Sequence, residues 1–157
     1  MLNKSGFTIT ENAIREGFAT IKKTTGLKGR WQVLQTDPLI IADVSHNEPG
    51  LRELFSQVDR NTTGDLHLII GVVKDKDLEK MTRLIPKSAK YFFTLSSVPR
   101  SLKAEDLASQ IQILLQCEGD TFSDVNAAID SAKKKAANDD LILICGSTFV
   151  VAEIENL

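Results

Sequence analysis

The chain is expected to fold as one α/β domain of the doubly wound, Rossmann-like kind: a mostly parallel sheet with an antiparallel edge hairpin and helices on both faces. Three observations lead there. Apolar runs of strand length, LIIA at 39–42, HLIIGVV at 67–73, YFFTL at 91–95 and LILIC at 141–145, recur along the chain. The segments between them carry apolar residues at helical spacing. A length of 157 residues with 42% hydrophobic content suits a single core. Continuous apolar strands separated by amphipathic helices mark a parallel sheet covered on both sides.

The elements follow in order. Residues 1–7 read as a flexible tail. Thr8 and Glu11 have capping-box spacing, and Ile9, Ala13, Ile14, Gly17, Phe18 and Ile21 fall on one face of a first helix that ends near Gly26. Residues 31–35 alternate in polarity and lead through Asp37 and Pro38 into LIIA, which predicts an antiparallel or edge pair of strands joined by a tight turn. A helix carrying Leu51, Leu54, Phe55 and Val58 precedes HLIIGVV, and one carrying Leu78, Met81, Leu84 and Ile85 precedes YFFTL. Two further helical patterns, Leu107 to Leu115 and Val125 to Ala132, lead to LILIC. TFVVA at 148–152 follows LILIC after only Gly146 and Ser147, too short a link for a parallel crossover, so it is expected to pair antiparallel at an edge.

Composition narrows the function. A formal net charge of -2 and a pI of 5.7 lack the basic footprint of a nucleic-acid binder. No apolar run approaches the ~20 residues needed to span a bilayer, and the first residues carry no signal-peptide pattern. Two cysteines, Cys117 and Cys145, are too few for a disulfide framework and fit a reducing cytoplasm. Neither nucleic acid nor membrane is an expected partner.

In a parallel sheet the loops after the strands gather on one rim, where open α/β sheets bind ligands. Here those loops are DVSHN at 43–47, KDKD at 74–77, 96–100 and Gly146 with Ser147. Asp43 could accept hydrogen bonds from ribose hydroxyls or cap a turn, and His46 could stack or hydrogen-bond. His46 and His67 are the only histidines, so no metal-ligand spacing arises. No GxSxG elbow supports a hydrolase. The chain also lacks GxxxxGK[ST] and GxGxxG, so the phosphates of any nucleotide it touches must be held chiefly elsewhere. Arg30, after Gly29, offers a guanidinium suited to a phosphate or carboxylate.

GRWQV at 29–33, DVSHN at 43–47, GVVKDKD at 71–77, PR at 99–100 and GSTFVVAE at 146–153 stand in a recognisable order and spacing. The chain resembles the C-terminal domain of folylpolyglutamate synthase, including bifunctional dihydrofolate synthase forms, within the Mur ligase superfamily. The likeness runs from about the first helix to Glu153. It implies an ATP-dependent amide ligase that adds L-glutamate to folate, or to dihydropteroate, through an acyl phosphate. It also implies that the P-loop and the Mg2+ sites belong to a central ATPase domain that this chain lacks. The chain would then be an excised domain, inactive alone, whose partners are that N-terminal and central part, ATP, L-glutamate and folate or dihydropteroate.

By the same resemblance Arg30 is the catalytic cation reaching the ATP phosphates, and Asp43, His46 and Asn47 form the nucleotide contacts. Ser147 lies near the incoming glutamate, with Lys76 and Arg100 as anion contacts. Most members have glycine and alanine where this chain has Val44 and Ser45, a proline where it has Lys28 and a glycine where it has Ala152. Two other readings compete: a flavodoxin-like or receiver-like signalling module with Asp43 as phosphoacceptor, and an interaction domain whose rim takes no ligand.

Overall fold

The computed structural model describes residues 5–6, 8–61, 63–155 and 157. Most of the expected tail at 1–7 lies outside the described residues. Among the described residues six strands form one sheet: β1 (Gln32–Thr36), β2 (Leu39–Ala42), β3 (Leu66–Ile70), β4 (Lys90–Phe93), β5 (Gly119–Thr121) and β6 (Leu141–Cys145). Their spatial order is β1-β2-β6-β3-β4-β5. β1 and β2 pair antiparallel through the turn at Asp37 and Pro38, and every other pairing is parallel. The mostly parallel sheet with an antiparallel edge pair is as the sequence predicts.

Helices α1 (Glu11–Thr25), α2 (Glu48–Asn61), α3 (Leu78–Thr82), α4 (Ala104–Leu115), α5 (Val125–Lys135) and α6 (Thr148–Ala152) complete the chain. The central strands β3 and β6 are buried at every position, because alternate side chains feed two cores. Leu66, Leu68, Ile70, Leu141 and Leu143 join Leu51, Leu54, Leu107 and Ile111 of α2 and α4 on one face. Ile69, Ile142 and Ile144 join Val125, Ala128, Ala132 and Val150 of α5 and α6 on the other. Both faces of the central strands are therefore dry, and the sheet meets solvent at its two ends and along its edge strands β1 and β5.

Four expectations need correction. TFVVA is not an edge strand but helix α6: a strand two residues after β6 could pair only beside it, and both edges of β6 are already taken by β2 and β3. A strand the sequence did not suggest, β5, lies between α4 and α5. It is exposed throughout and polar, and only its ladder with Tyr91 to Phe93 defines it. The cap of α1 is Thr10, whose side chain accepts from the Ala13 amide, rather than Thr8. The apolar face of α1 enters neither core, and Ile14, Phe18 and Ile21 stay exposed, Phe18 at 73%.

At the amino end of the sheet Asp140 ties three segments together. Its Oδ1 accepts from the Asp65 amide at 2.7 Å; its Oδ2 accepts from the Ala137 amide at 3.0 Å and from His67 Nε2 at 2.9 Å. His67 is wholly buried and stacks on Phe92. Burial pushes the Asp140 carboxyl up, but the two amides and the His67 ring more than offset it, leaving the group below its ordinary 3.8. A depressed carboxylate contributes stability that is whole above the ordinary value and is lost as pH falls through the folded one. Asp140→Ala should lower the unfolding free energy by about 3 kcal/mol at neutral pH, because two part-buried amides and the buried His67 ring lose their acceptor. It should also flatten the acid limb of stability below the ordinary value, as urea titrations across pH would show.

Candidate functional site

Four strand ends meet on the carboxyl rim, and backbone bonds carry the ladder into the loops. The Asp43 amide donates to the Ile144 carbonyl and the Gly146 amide to the Ser45 carbonyl, both at 2.9 Å. Farther along, Thr94 donates to Ile70 at 3.0 Å, and Leu102 to Val72 and Lys74 to Arg100 at 2.9 Å. Gly146 has φ +98, and a β-carbon there would lie 2.7 Å from the Gly71 carbonyl, so the chain can leave β6 this way only at glycine.

Asp43 is 7% exposed. Its Oδ1 accepts from the Ser45 amide at 2.8 Å and the Ser45 hydroxyl at 2.5 Å, while its Oδ2 accepts from the Trp31 amide at 2.7 Å. The loop carrying Arg30 is thus bonded to the carboxylate. A second tie joins the same loops, since the Val44 amide donates to the Gly29 carbonyl at 2.8 Å. A third is internal, from the Gly29 amide to Gln32 Oε1 at 2.8 Å. Gly29 has φ +69, and a β-carbon there would stand 2.7 Å from Val44 Cγ1 and 2.9 Å from Val151 Cγ1. Val44 therefore fills space that glycine at 29 leaves free. It is also outside the left-handed region, which among the described non-glycine residues holds Trp31 and Gln116.

Arg30 stands exposed between Gly29 and Trp31 and makes no hydrogen bond or ion pair among the described residues. His46 is half-buried; its Nδ1 lies 2.8 Å from the Val44 carbonyl, to which it can only donate, which leaves Nε2 for a further partner. Asn47 caps α2: Oδ1 accepts from the Gly50 amide at 3.0 Å and its carbonyl from Leu51 at 2.9 Å. Beneath the loop, burial and then the charge on Asp43 push the Cys145 thiol up, so it is held as the neutral thiol.

The remaining candidates sit farther along the rim. Ser147 is buried and caps α6, accepting from the Phe149 amide at 3.2 Å. Arg100 is exposed, 3.6 Å from Asp75 and 5.6 Å above the Phe149 ring. Lys76 is half-buried, with its amide bonded to the Val73 carbonyl. The structure thus joins Arg30, Asp43, His46 and Asn47 on two bonded loops and brings Ser147 beside them through Gly146. Lys76 and Arg100 belong to the ends of β3 and β4.

Sequence reasoning missed five residues here. Trp31, Gln32 and Ser45 hold the loops, while Phe149 and Glu153 join α6 to the loop after β4, Glu153 accepting from the Ser97 amide at 2.8 Å and hydroxyl at 2.7 Å. Only Trp31, the single tryptophan and neighbour of Arg30, stands out as a letter. The receiver-like alternative does not fit, because both oxygens of Asp43 are engaged inside the protein.

The fold is a doubly wound sheet whose carboxyl rim, where sheets of this class bind ligands, carries an exposed arginine with no partner among the described residues. The model of the family described as "Mur ligase, glutamate ligase domain" matches residues 29–148. The chain belongs to that family. It is 30% identical over 155 residues to the dihydrofolate synthase/folylpolyglutamate synthase of Escherichia coli, covering 98% of this chain and 35% of that protein. It is 33% identical over 125 residues to a probable bifunctional folylpolyglutamate synthase/dihydropteroate synthase of Haloferax volcanii, covering 80% of this chain and 15% of that one. The crystal structure of the bifunctional folylpolyglutamate synthase/dihydrofolate synthase of Yersinia pestis, complexed with AMPPNP and a manganese ion, superposes with TM-score 0.80 at 28% identity, covering 96% of this chain and 35% of that one. The chain thus spans about a third or less of the length of these relatives.

Gly29→Ala should lower stability by about 3 kcal/mol, since it adds left-handed strain to a close contact. Val44→Ala in the same chain should recover part of that loss by removing the nearer clashing methyl. Urea unfolding of the two single variants and the double variant measures both effects.

Proposed function

We propose that the chain is the C-terminal domain of an ATP-dependent ligase that adds L-glutamate to folate and, in a bifunctional protein, to dihydropteroate. The observation that carries this reading is Arg30: an exposed, unpaired guanidinium on a loop fixed at the residues before and after it, in a chain with no phosphate cradle of its own. ATP supplies the phosphoryl group that activates the acceptor carboxylate; the amine of glutamate then displaces phosphate to form the amide. In this reading Arg30 meets the charge on the transferring phosphoryl group, where a preorganised cation contributes most. His46 Nε2 and the Asn47 loop face the nucleoside side, and Ser147, with Lys76 and Arg100 along the rim, faces the carboxylates of glutamate.

The relatives support the ligand set. The Yersinia pestis protein is complexed with AMPPNP and manganese, and a structure of a bifunctional folylpolyglutamate synthase/dihydrofolate synthase holds Mn, AMPPNP and L-glutamate. The divalent ion, Mg2+ in the cell, and the P-loop are assigned to the part of the longer protein that this chain does not cover. The exposed apolar stripe of α1, Ile14, Phe18 and Ile21, suits packing against that part, because a stripe of this kind is normally covered. No helix among the described residues is long and apolar enough to cross a membrane, and we assign the enzyme to the cytoplasm.

The full-length protein tests the reading. Arg30→Ala should reduce kcat for ATP-dependent glutamate addition roughly 100-fold or more, with a smaller change in the KM for glutamate. An unchanged rate would reject this assignment of function.

A further inference from the structure

We infer that Glu153 is a positioning residue for Arg100: its carboxylate ties the end of α6 to the loop after β4 and so sets where the Arg100 guanidinium stands relative to Ser147. This rests on the reading of Ser147 and Arg100 as groups that face the carboxylates of glutamate.

A helix of five residues is too short to hold its own shape, and α6 is kept in place from outside. Val150 and Val151 anchor it in the core that it shares with α5. The Glu153 carbonyl accepts from Asn126 Nδ2 of α5 at 3.0 Å, and the Glu155 amide donates to Asn126 Oδ1 at 3.0 Å. Away from α5, the Glu153 side chain reaches the loop at 96–100. There its Oε1 accepts from both the amide and the hydroxyl of Ser97, at 2.8 and 2.7 Å. A carboxylate that holds two donors of one residue fixes that residue's backbone as well as its side chain.

About one turn earlier on α6, Phe149 faces the same loop. Its ring centre lies 5.6 Å from the Arg100 guanidinium carbon, within cation–π range. The loop is thus joined to α6 at two points, Ser97 by Glu153 and Arg100 by Phe149. Between them its backbone is held as well. The Ser101 amide donates to the Val98 carbonyl, the Lys74 amide to the Arg100 carbonyl and the Lys74 ammonium to the Pro99 carbonyl, all at 2.9 Å.

Ser147 closes the link, because its Oγ accepts from the Phe149 amide at 3.2 Å. The residue whose ring carries Arg100 is therefore bonded through its backbone to the other proposed glutamate contact. Asp75 also attracts Arg100, 3.6 Å away, but both side chains are exposed, and an exposed pair of that length holds a guanidinium loosely. The ring and the tied loop fix its position. A guanidinium meets a carboxylate well only when its fork is aimed, so releasing the loop should weaken glutamate binding more than it slows the chemical step.

Two measurements test this role. In the 157-residue chain, the Arg100 side-chain protons should carry the upfield shift of protons above an aromatic face, and Phe149→Leu should abolish it. Glu153→Ala should reduce that shift by about half or more and raise exchange at the Ser97 amide about tenfold, with the β6 amides still protected. Glu153→Gln keeps an oxygen that can accept both bonds and should preserve most of the shift. An Arg100 shift unchanged in Glu153→Ala would overturn the proposal.

In the full-length protein, Glu153→Ala should raise the KM for glutamate about fivefold while the KM for ATP changes less than about twofold, and Glu153→Gln should recover most of that loss. In an Arg100→Ala background, Glu153→Ala should add less than about twofold. Losses that multiply would show that Glu153 acts apart from Arg100 and would overturn the positioning role. If Arg100→Ala alone leaves the KM for glutamate unchanged, the assignment of Arg100 to glutamate fails, and the Arg100 resonances still decide whether Glu153 positions it.

Discussion

The structure depends on the insertion of the last strand, β6, between two strands formed much earlier in the chain. β6 pairs with β2 on one side and β3 on the other and is buried throughout. It therefore closes the sheet and supplies the inner wall of both cores. It also supplies the floor of the rim: the Ile144 carbonyl receives the Asp43 amide, and the Gly146 amide reaches back to the Ser45 carbonyl. Such pairings are non-local, and their chain-entropy cost must be met before their contacts can form. The loop bearing Asp43 is bonded to the end of β6, so the rim and the strand that completes the sheet form one structural unit.

Charge in that unit is handled without a counter-ion. Removing the Asp43 carboxylate from water is unfavourable, and no lysine or arginine among the described residues pairs with it. Two backbone amides and a hydroxyl compensate instead. The unneutralised charge is felt by its neighbour Cys145, whose thiol it helps to keep protonated. This arrangement leaves Arg30 unclaimed. Had Asp43 formed an ion pair with Arg30, the guanidinium would be withdrawn from any ligand; bonding to the adjacent amide fixes the loop and keeps the positive charge available.

Much of this was legible in the sequence, for identifiable reasons. Strands buried on both faces must be apolar throughout, so β2, β3, β4 and β6 stood out as runs, and strand ends in a parallel sheet must share a rim, so DVSHN could be placed without coordinates. β5 was silent because an exposed edge strand of three residues, Gly-Asp-Thr, buries no side chain and is defined by its partner alone. TFVVA misled because its valines and phenylalanine favour strands locally, whereas the occupied edges of β6 exclude one there. α1 misled in the opposite sense: its periodic apolar face is real, but neither core of this chain covers it. The bond from Trp31 to Asp43 was also hidden, because the donor is a backbone amide, and every residue except proline has one.

Asp43 and Asp140 show that equal burial and bonding can serve different places in the fold. They lie at opposite ends of the sheet, 7% and 6% exposed, and each accepts three hydrogen bonds shared between its two oxygens. By exposure and by bond count they are equivalent. They differ in what they hold. Asp140 joins segments that are themselves structural: the amide of Asp65 just ahead of β3, the Ala137 amide beyond α5, and the ring of His67, which is buried against Phe92. Asp43 joins its own loop to a residue in a strained conformation beside an exposed cation that nothing in the described chain engages. A left-handed residue held between a buried carboxylate and an exposed cation is the kind of local strain that the surrounding bonds must maintain. The same local chemistry thus ties structural segments together at one end of the sheet and joins two loops of the rim at the other.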